Sequence, residues 1–366
     1  MKQSPYAGLP PDRFWRTGVA EQPGPVPENL YVRKWDLSRE MPIATAGSCF
    51  AQHIGRTLKS FGFNIIDSEP APPDLPSEHH LTFGYSMYSA RYGNIYTIRQ
   101  MLQLAKEAFQ LIPMSDEVWE THTGFVDALR PTIDPEGYGS KNAVALQRER
   151  HLERVRQVLQ DMDVFVFTFG LTEAWENTKT GMVYPVCPGT IGGEFDSEIH
   201  AFRNFTYPEI IADFLELREL LLARKNGKEL RFILTVSPVP LTATAAGRHV
   251  QVSTVYSKSV LRAVTGALSD MYDDIDYFPS YEIITSPWSD RMLYKPNKRT
   301  VAAGGVKLAM ETFSKAHGIS TTSETTSVDA PSPGVTRAPA SVNEEDADML
   351  VKCDEELLGA FGKGVQ

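Results

Sequence analysis

The run Asp163-Val164-Phe165-Val166-Phe167-Thr168-Phe169 constrains this chain more than any other feature. It is almost unbroken in β-branched and aromatic residues and lacks polar alternation, so it suits a strand covered on both faces. Ile43-Ala44-Thr45-Ala46 and residues 231–236 have the same character. Segments of helical period lie between these runs. Phe50, Ile54, Leu58 and Phe61 share one face, and Gly62 stops that helix. Residues 63–66 read as a second strand. Residues 98–109, 146–159, 208–224, 256–271 and 306–316 read as helices. Alternating strands and helices predict an α/β fold with a mainly parallel central sheet, in which 43–46, 164–169 and 231–236 are neighbouring inner strands.

The flanks differ from this body. Residues 1–40 read as an irregular arm, punctuated by Pro5, Pro10, Pro11, Pro23, Pro25 and Pro27. Residues 41–318 hold the alternating pattern and form the predicted domain. Residues 319–345 are dominated by Ser, Thr, Pro, Ala and acidic side chains; they cannot bury enough apolar surface to offset ordering entropy and read as a disordered linker. In 346–366, Met349, Leu350, Cys353, Leu357 and Phe361 share a helical face, which reads as a short amphipathic helix that docks on the domain itself or on a partner.

The 366 residues are 42% hydrophobic, enough for a sizeable core, and carry a net charge of -10. That acidic balance argues against nucleic acid as a partner, because phosphate binding needs a basic footprint. Three cysteines, Cys49, Cys187 and Cys353, show no metal-like spacing and suit reduced thiols. The first 27 residues lack the apolar core of a signal peptide, and the longest apolar runs are strand-sized. These features predict no membrane span, a cytoplasmic location, and neither metal nor cofactor.

In open α/β sheets, sites form beyond the carboxyl ends of strands. Three such ends stand out. Ala46-Gly47-Ser48-Cys49-Phe50 places a serine between a strand and a helix start, where the helix dipole favours an alkoxide or an oxyanion. A serine there is equally at home as an ordinary N-cap. Residues 169–177 follow the strongest strand and offer Thr172 and Glu173; a polar turn capping the next helix is the plainer reading. Ser237-Pro238-Val239-Pro240 forms a rigid loop, with His249 further along.

These segments resemble the GSCFA family of bacterial-type proteins. Thr45-Ala46-Gly47-Ser48-Cys49-Phe50-Ala51 carries the sequence for which the family is named. Tyr92-Gly93-Asn94-Ile95-Tyr96, Phe169-Gly170 through Glu176-Asn177, Ser237-Pro238-Val239, Ser257-Lys258-Ser259 with Leu261-Arg262, and residues 277–283 match further blocks in the right order, from about residue 43 to about 313. That family looks like a branch of the SGNH (GDSL-like) hydrolases, which implies a flavodoxin-like, SGNH-type three-layer sandwich. The resemblance implies Ser48 as nucleophile and the N–H groups of Ser48 and Gly93 as oxyanion donors, with Asn94, Thr172 and Glu173 beside the substrate.

The departures concern the base. The Asp-x-x-His pair that the resemblance implies falls on Asn297 and Thr300, and two further family histidines fall on Leu241 and within Cys187-Pro188-Gly189. A serine hydroxyl is a weak nucleophile without an adjacent base. His249 is the best substitute, oriented by Glu173 or Asp290, with His53, His122 and His200 as other candidates. The resemblance thus implies an O-acyl esterase or acyltransferase acting on an acylated carbohydrate or another small hydroxyl substrate. The missing pair supports a second expectation, a binding protein that keeps the pocket and has lost the chemistry. A phosphate site at the Ser48 helix is weaker, since no Gly-rich loop or lysine accompanies the turn.

Overall fold

The computed structural model describes residues 4–289, 293–319 and 354–362. Its centre is a four-stranded sheet of β1 (Ile43–Gly47), β4 (Val164–Phe169), β8 (Arg231–Val236) and β9 (Ile275–Tyr277), in the order β1-β4-β8-β9. All three pairings are parallel, with Ile43 opposite Val164, Val164 opposite Arg231, and Phe232 opposite Ile275. The three apolar runs are therefore neighbours, as their composition predicts. Residues 63–66 contribute only one parallel bridge, Ile43 to Ile65, so the second strand expected there is not built.

Side-chain alternation explains why β4 must be apolar throughout. Phe165, Phe167 and Phe169 enter the core on one face, while Val164 and Val166 enter the core on the other. The first face is covered by α2 (Ile98–Ala108), α3 (Lys141–Asp161), α4 (Tyr207–Leu222) and α5 (Val250–Met271), through Met101, Val155, Phe214 and Val264 among others. The second is covered by α1 (Ala51–Ser60), α6 (Ser280–Thr285) and α7 (Ala303–Ala316), through Ile54, Ile283 and Phe313. The result is a three-layer α/β sandwich.

Local chemistry sets the helix starts. Thr97 and Gln100 form a capping box at α2, and Thr206 and Glu209 form another at α4. Ser140 caps α3. The arm is not loose: Tyr31 is buried in the second core layer, where its hydroxyl donates to Asp276 Oδ2 at 2.9 Å.

Two small antiparallel sheets decorate the body: β2 (Val118–Glu120) with β3 (Phe125–Asp127), and β6 (Val183–Tyr184), β5 (Glu173–Asn177) and β7 (His200–Asn204) in the order β6-β5-β7. The segment after Gly170 is thus a strand, where a helix-capping turn is the simpler expectation from sequence. The linker expected over 319–345 lies, beyond Ile319, outside the described residues. Of the expected C-terminal helix, residues Asp354–Gly362 are described and form a 3-10 helix packed on the domain. Among the described residues no helix is long and apolar enough to cross a membrane.

Candidate functional site

The site is built where β1 and β4 end. Gly47 adopts φ +132° and lies so close to β4 that a Cβ there would sit 2.4 Å from the Thr168 carbonyl oxygen. Only glycine lets the chain leave the sheet at this point. Ser48 follows, 2% exposed, just ahead of α1. On the far side, a Cβ at Gly170 would lie 2.9 Å from Ser48 Cβ and 3.1 Å from the Tyr96 oxygen. Ser48 is wedged between two glycine-dependent turns.

The loop before α2 closes the third side. Ile95 N–H donates to Gly47 O at 2.9 Å, and the Gly170 and Leu171 N–H groups donate to Tyr96 O at 3.1 and 3.0 Å. These bonds lock the ends of β1 and β4 and the loop around Asn94 into one unit. Gln52, one helical turn beyond Ser48, donates to Tyr88 Oη at 3.3 Å and to Asn94 Oδ1 at 3.4 Å, and the Tyr88 hydroxyl donates to Asn94 Oδ1 at 2.6 Å. Burial, and then the neighbouring Cys49, push the Tyr88 phenol well above its ordinary pKa, so it stays a donor. With its oxygen occupied, Asn94 presents its amide N–H, which donates to Asp354 Oδ2 at 3.0 Å.

From the α5 side, Lys258 is buried and donates to Gly170 O at 2.6 Å, while Ser257 Oγ accepts the Thr172 N–H at 3.0 Å. α5 thereby fixes the turn that abuts Ser48.

A GSCFA family model matches residues 42–313, a span that starts just before β1 and ends in α7 and so contains every element of this site except the C-terminal segment. The chain belongs to the GSCFA family. No curated protein and no solved structure matches it.

The motif residues of this GSCFA protein divide between pocket and scaffold. Ser48, Asn94 and Gly170 form one unit. Gly93, at φ +68°, turns the loop beneath Asn94 and packs on Ile133 and Arg130. Thr172 is fully buried, with no hydrogen-bond partner for its hydroxyl among the described residues. Glu173 lies in β5, where burial raises its pKa and Thr244 Oγ1 donates to it at 2.8 Å. Glu173 lines a cleft of about 430 Å³ together with Leu171, Trp175, Tyr184, Leu358 and Phe361. A larger cleft of about 740 Å³ runs between the arm and α7 and contains none of the Ser48 unit. Arg262, Tyr277 and Glu282 brace one another: Glu282 accepts from the Arg262 guanidinium and, at 2.7 Å, from the Tyr277 hydroxyl.

Among the described residues, no hydrogen bond joins the Ser48 hydroxyl to a histidine. The Ser48 N–H, expected to face an oxyanion, donates to Thr168 O at 3.2 Å. The Ser48 hydroxyl is buried, with no hydrogen-bond partner among the described residues. His249 caps α5, its Nδ1 accepting the Gln251 N–H at 3.2 Å, and its ring is exposed. His200 Nδ1 accepts the Asp196 N–H, and His122 lies in the turn between β2 and β3. His53 packs against Phe50 on α1. Asp290 lies outside the described residues. Asn297 and Thr300 form an exposed turn in which Asn297 Nδ2 donates to Thr300 Oγ1 at 2.9 Å.

Sequence reasoning missed Gln52, Tyr88, Thr132 and Asp354, and placed Tyr96 and Lys258 in motif blocks without giving them a role. Gln52 was readable, since a residue four beyond Ser48 shares its helix face. A lysine on the buried face of α5, beside Leu261, Val264 and Leu268, was a signal for Lys258. Nothing local marks Asp354.

Proposed function

We propose that this GSCFA protein is an SGNH-like binding protein: its Ser48–Asn94 pocket holds a small polar ligand, such as an acylated carbohydrate, without Ser–His ester hydrolysis. The observation that carries this reading is the Ser48 hydroxyl, buried and without a hydrogen-bond partner among the described residues. A serine needs a base within about 3 Å, or one water away, to lose its proton. Asn94, oriented by Tyr88 and Gln52, supplies a fixed donor of the kind that recognises carbonyl, hydroxyl or carboxylate oxygens.

A second reading has its own support. Ser48 is pinned by Gly47 and Gly170 at the carboxyl end of β1, the position where SGNH-like proteins carry their nucleophile. An O-acyl esterase or acyltransferase built on Ser48 would require an imidazole to approach it when substrate binds.

Turnover of p-nitrophenyl acetate and butyrate separates the two. The wild-type chain and the Asp354→Ala variant, whose pocket is no longer filled by that carboxylate, are expected to hydrolyse both esters no faster than their Ser48→Ala counterparts. A tenfold excess that disappears with Ser48→Ala would establish the ester-enzyme reading instead.

A further inference from the structure

Asp354 of the described C-terminal segment is held by side chains of the domain as a ligand's carboxylate would be. Asp354 is 3% exposed although it lies outside the family-matched span. One carboxylate oxygen accepts from Asn94 Nδ2 at 3.0 Å and the other from Thr132 Oγ1 at 2.6 Å. Its backbone N–H donates to Tyr96 Oη at 3.1 Å. Two donors from different loops thus take one carboxylate oxygen each, and the Tyr96 hydroxyl fixes the backbone behind it. Leu358 and Phe361, four and seven residues on, line the adjoining cleft with Leu171, Trp175 and Tyr184.

The donors are set from within the domain. Asn94 is oriented by Tyr88 and Gln52, both on the domain side. Thr132 follows Arg130, whose guanidinium is tied to Asp127 at 2.8 Å and to Arg91 O at 3.1 Å. Each of these bonds is independent of Asp354. Burying a carboxylate is costly unless hydrogen bonds replace its water, and this pocket supplies them. Thirty-four residues, 320–353, separate Ile319 from Asp354 in the chain.

We infer that Asn94, Thr132 and Tyr96 form a carboxylate-binding subsite, and that residues 354–362 are its tethered, displaceable occupant. The ligand they imitate carries a carboxylate followed by an apolar portion, the chemistry of a short acidic peptide. The tail competes with it from within the same chain. This deepens the binding reading by naming what the pocket takes, yet it does not depend on whether Ser48 reacts, so ester turnover and peptide binding fail independently.

A competitor carried on the same chain acts at a high effective concentration, on the order of millimolar, and so weakens the apparent affinity of any free ligand. The probe is a fluorescent synthetic peptide with the sequence of residues 349–366, kept reduced and followed by anisotropy on full-length chains. The Asp354→Ala chain is expected to bind it at least about tenfold more tightly than wild type does. Adding Thr132→Val to that chain, or placing Asp354→Asn in the peptide, should each cost about tenfold. Hydrogen exchange gives a second readout: amides of 354–362 should be protected in wild type and lose that protection in the Asp354→Ala chain. Equal affinity of the two chains, no binding to either, or indifference to both Thr132→Val and the altered peptide would overturn the inference.

Discussion

Replacing Asp127 with Ala is expected to lower the stability of the chain by about 3–5 kcal/mol, the cost of stranding buried charges without their partner. Asp127 is 4% exposed. It accepts from Arg130 Nε at 2.8 Å, from Arg148 Nη1 at 2.9 Å and from the Leu129 N–H at 3.0 Å. Arg148 reaches on to Glu107 Oε2 at 2.5 Å. Burial alone would raise the Asp127 pKa, but Arg148 and Arg130 outweigh it and hold the carboxyl below the usual carboxylate range. Removing it leaves two buried guanidinium groups, Arg148 with the Glu107 carboxylate and Arg130 with the carbonyl oxygens of Arg91 and Gln147. Urea denaturation should show the midpoint fall with the slope unchanged. A loss under about 1 kcal/mol, the scale of an exposed ion pair, would contradict the account. The same variant should loosen Thr132, because Arg130 ties that loop to Arg91 O.

The second large effect is expected at Gly47. An alanine there must take φ near +132° and place its Cβ 2.4 Å from Thr168 O and 2.7 Å from Thr168 N. Neither backbone atom can move without breaking the β1–β4 pairing, in which Gly47 is registered with Thr168. Backbone strain and overpacking together should cost about 3 kcal/mol or more. Gly62→Ala is the control: φ is +78° with nothing within 4 Å, so only the left-handed penalty of about 1 kcal/mol applies. Equal thermal midpoints for the two variants would show that the close approach to Thr168 does not matter. Gly47→Ala should also displace Ser48 and weaken the peptide binding described above.

Where the pattern came from burial, the fold was legible in sequence. The three parallel strands carry apolar residues on both faces, and no other element of a domain this size demands that. The sheet β6-β5-β7 was not legible, because Glu173, Glu176 and Asn177 mask a strand whose packing rests on Trp175 against Phe195 and Phe202. Residues 63–66 look like a strand, yet form one bridge, to Ile43 at the start of β1, while the Asn64 N–H turns to Arg39 O. Ser48 was visible because a strand, a glycine and a helix start meet there. His249 illustrates the opposite case: a polar residue ahead of an amphipathic helix has a local use as a cap, and that is the contact it makes. Asp354 lies 306 positions from Ser48, and no periodicity links a tail to the pocket it fills.

The central claim, that the Ser48 pocket holds a ligand without using the serine as a nucleophile, is tested most directly by an alkyl fluorophosphonate. The reagent should be applied to the full-length Asp354→Ala chain, so that the tail's carboxylate does not guard the site, with Asp354→Ala/Ser48→Ala as control. Intact mass should show no adduct on either chain over hours at pH 7.5, because no base among the described residues is hydrogen-bonded to the hydroxyl. One adduct per chain, mapped to Ser48 and absent from the control, would contradict the account.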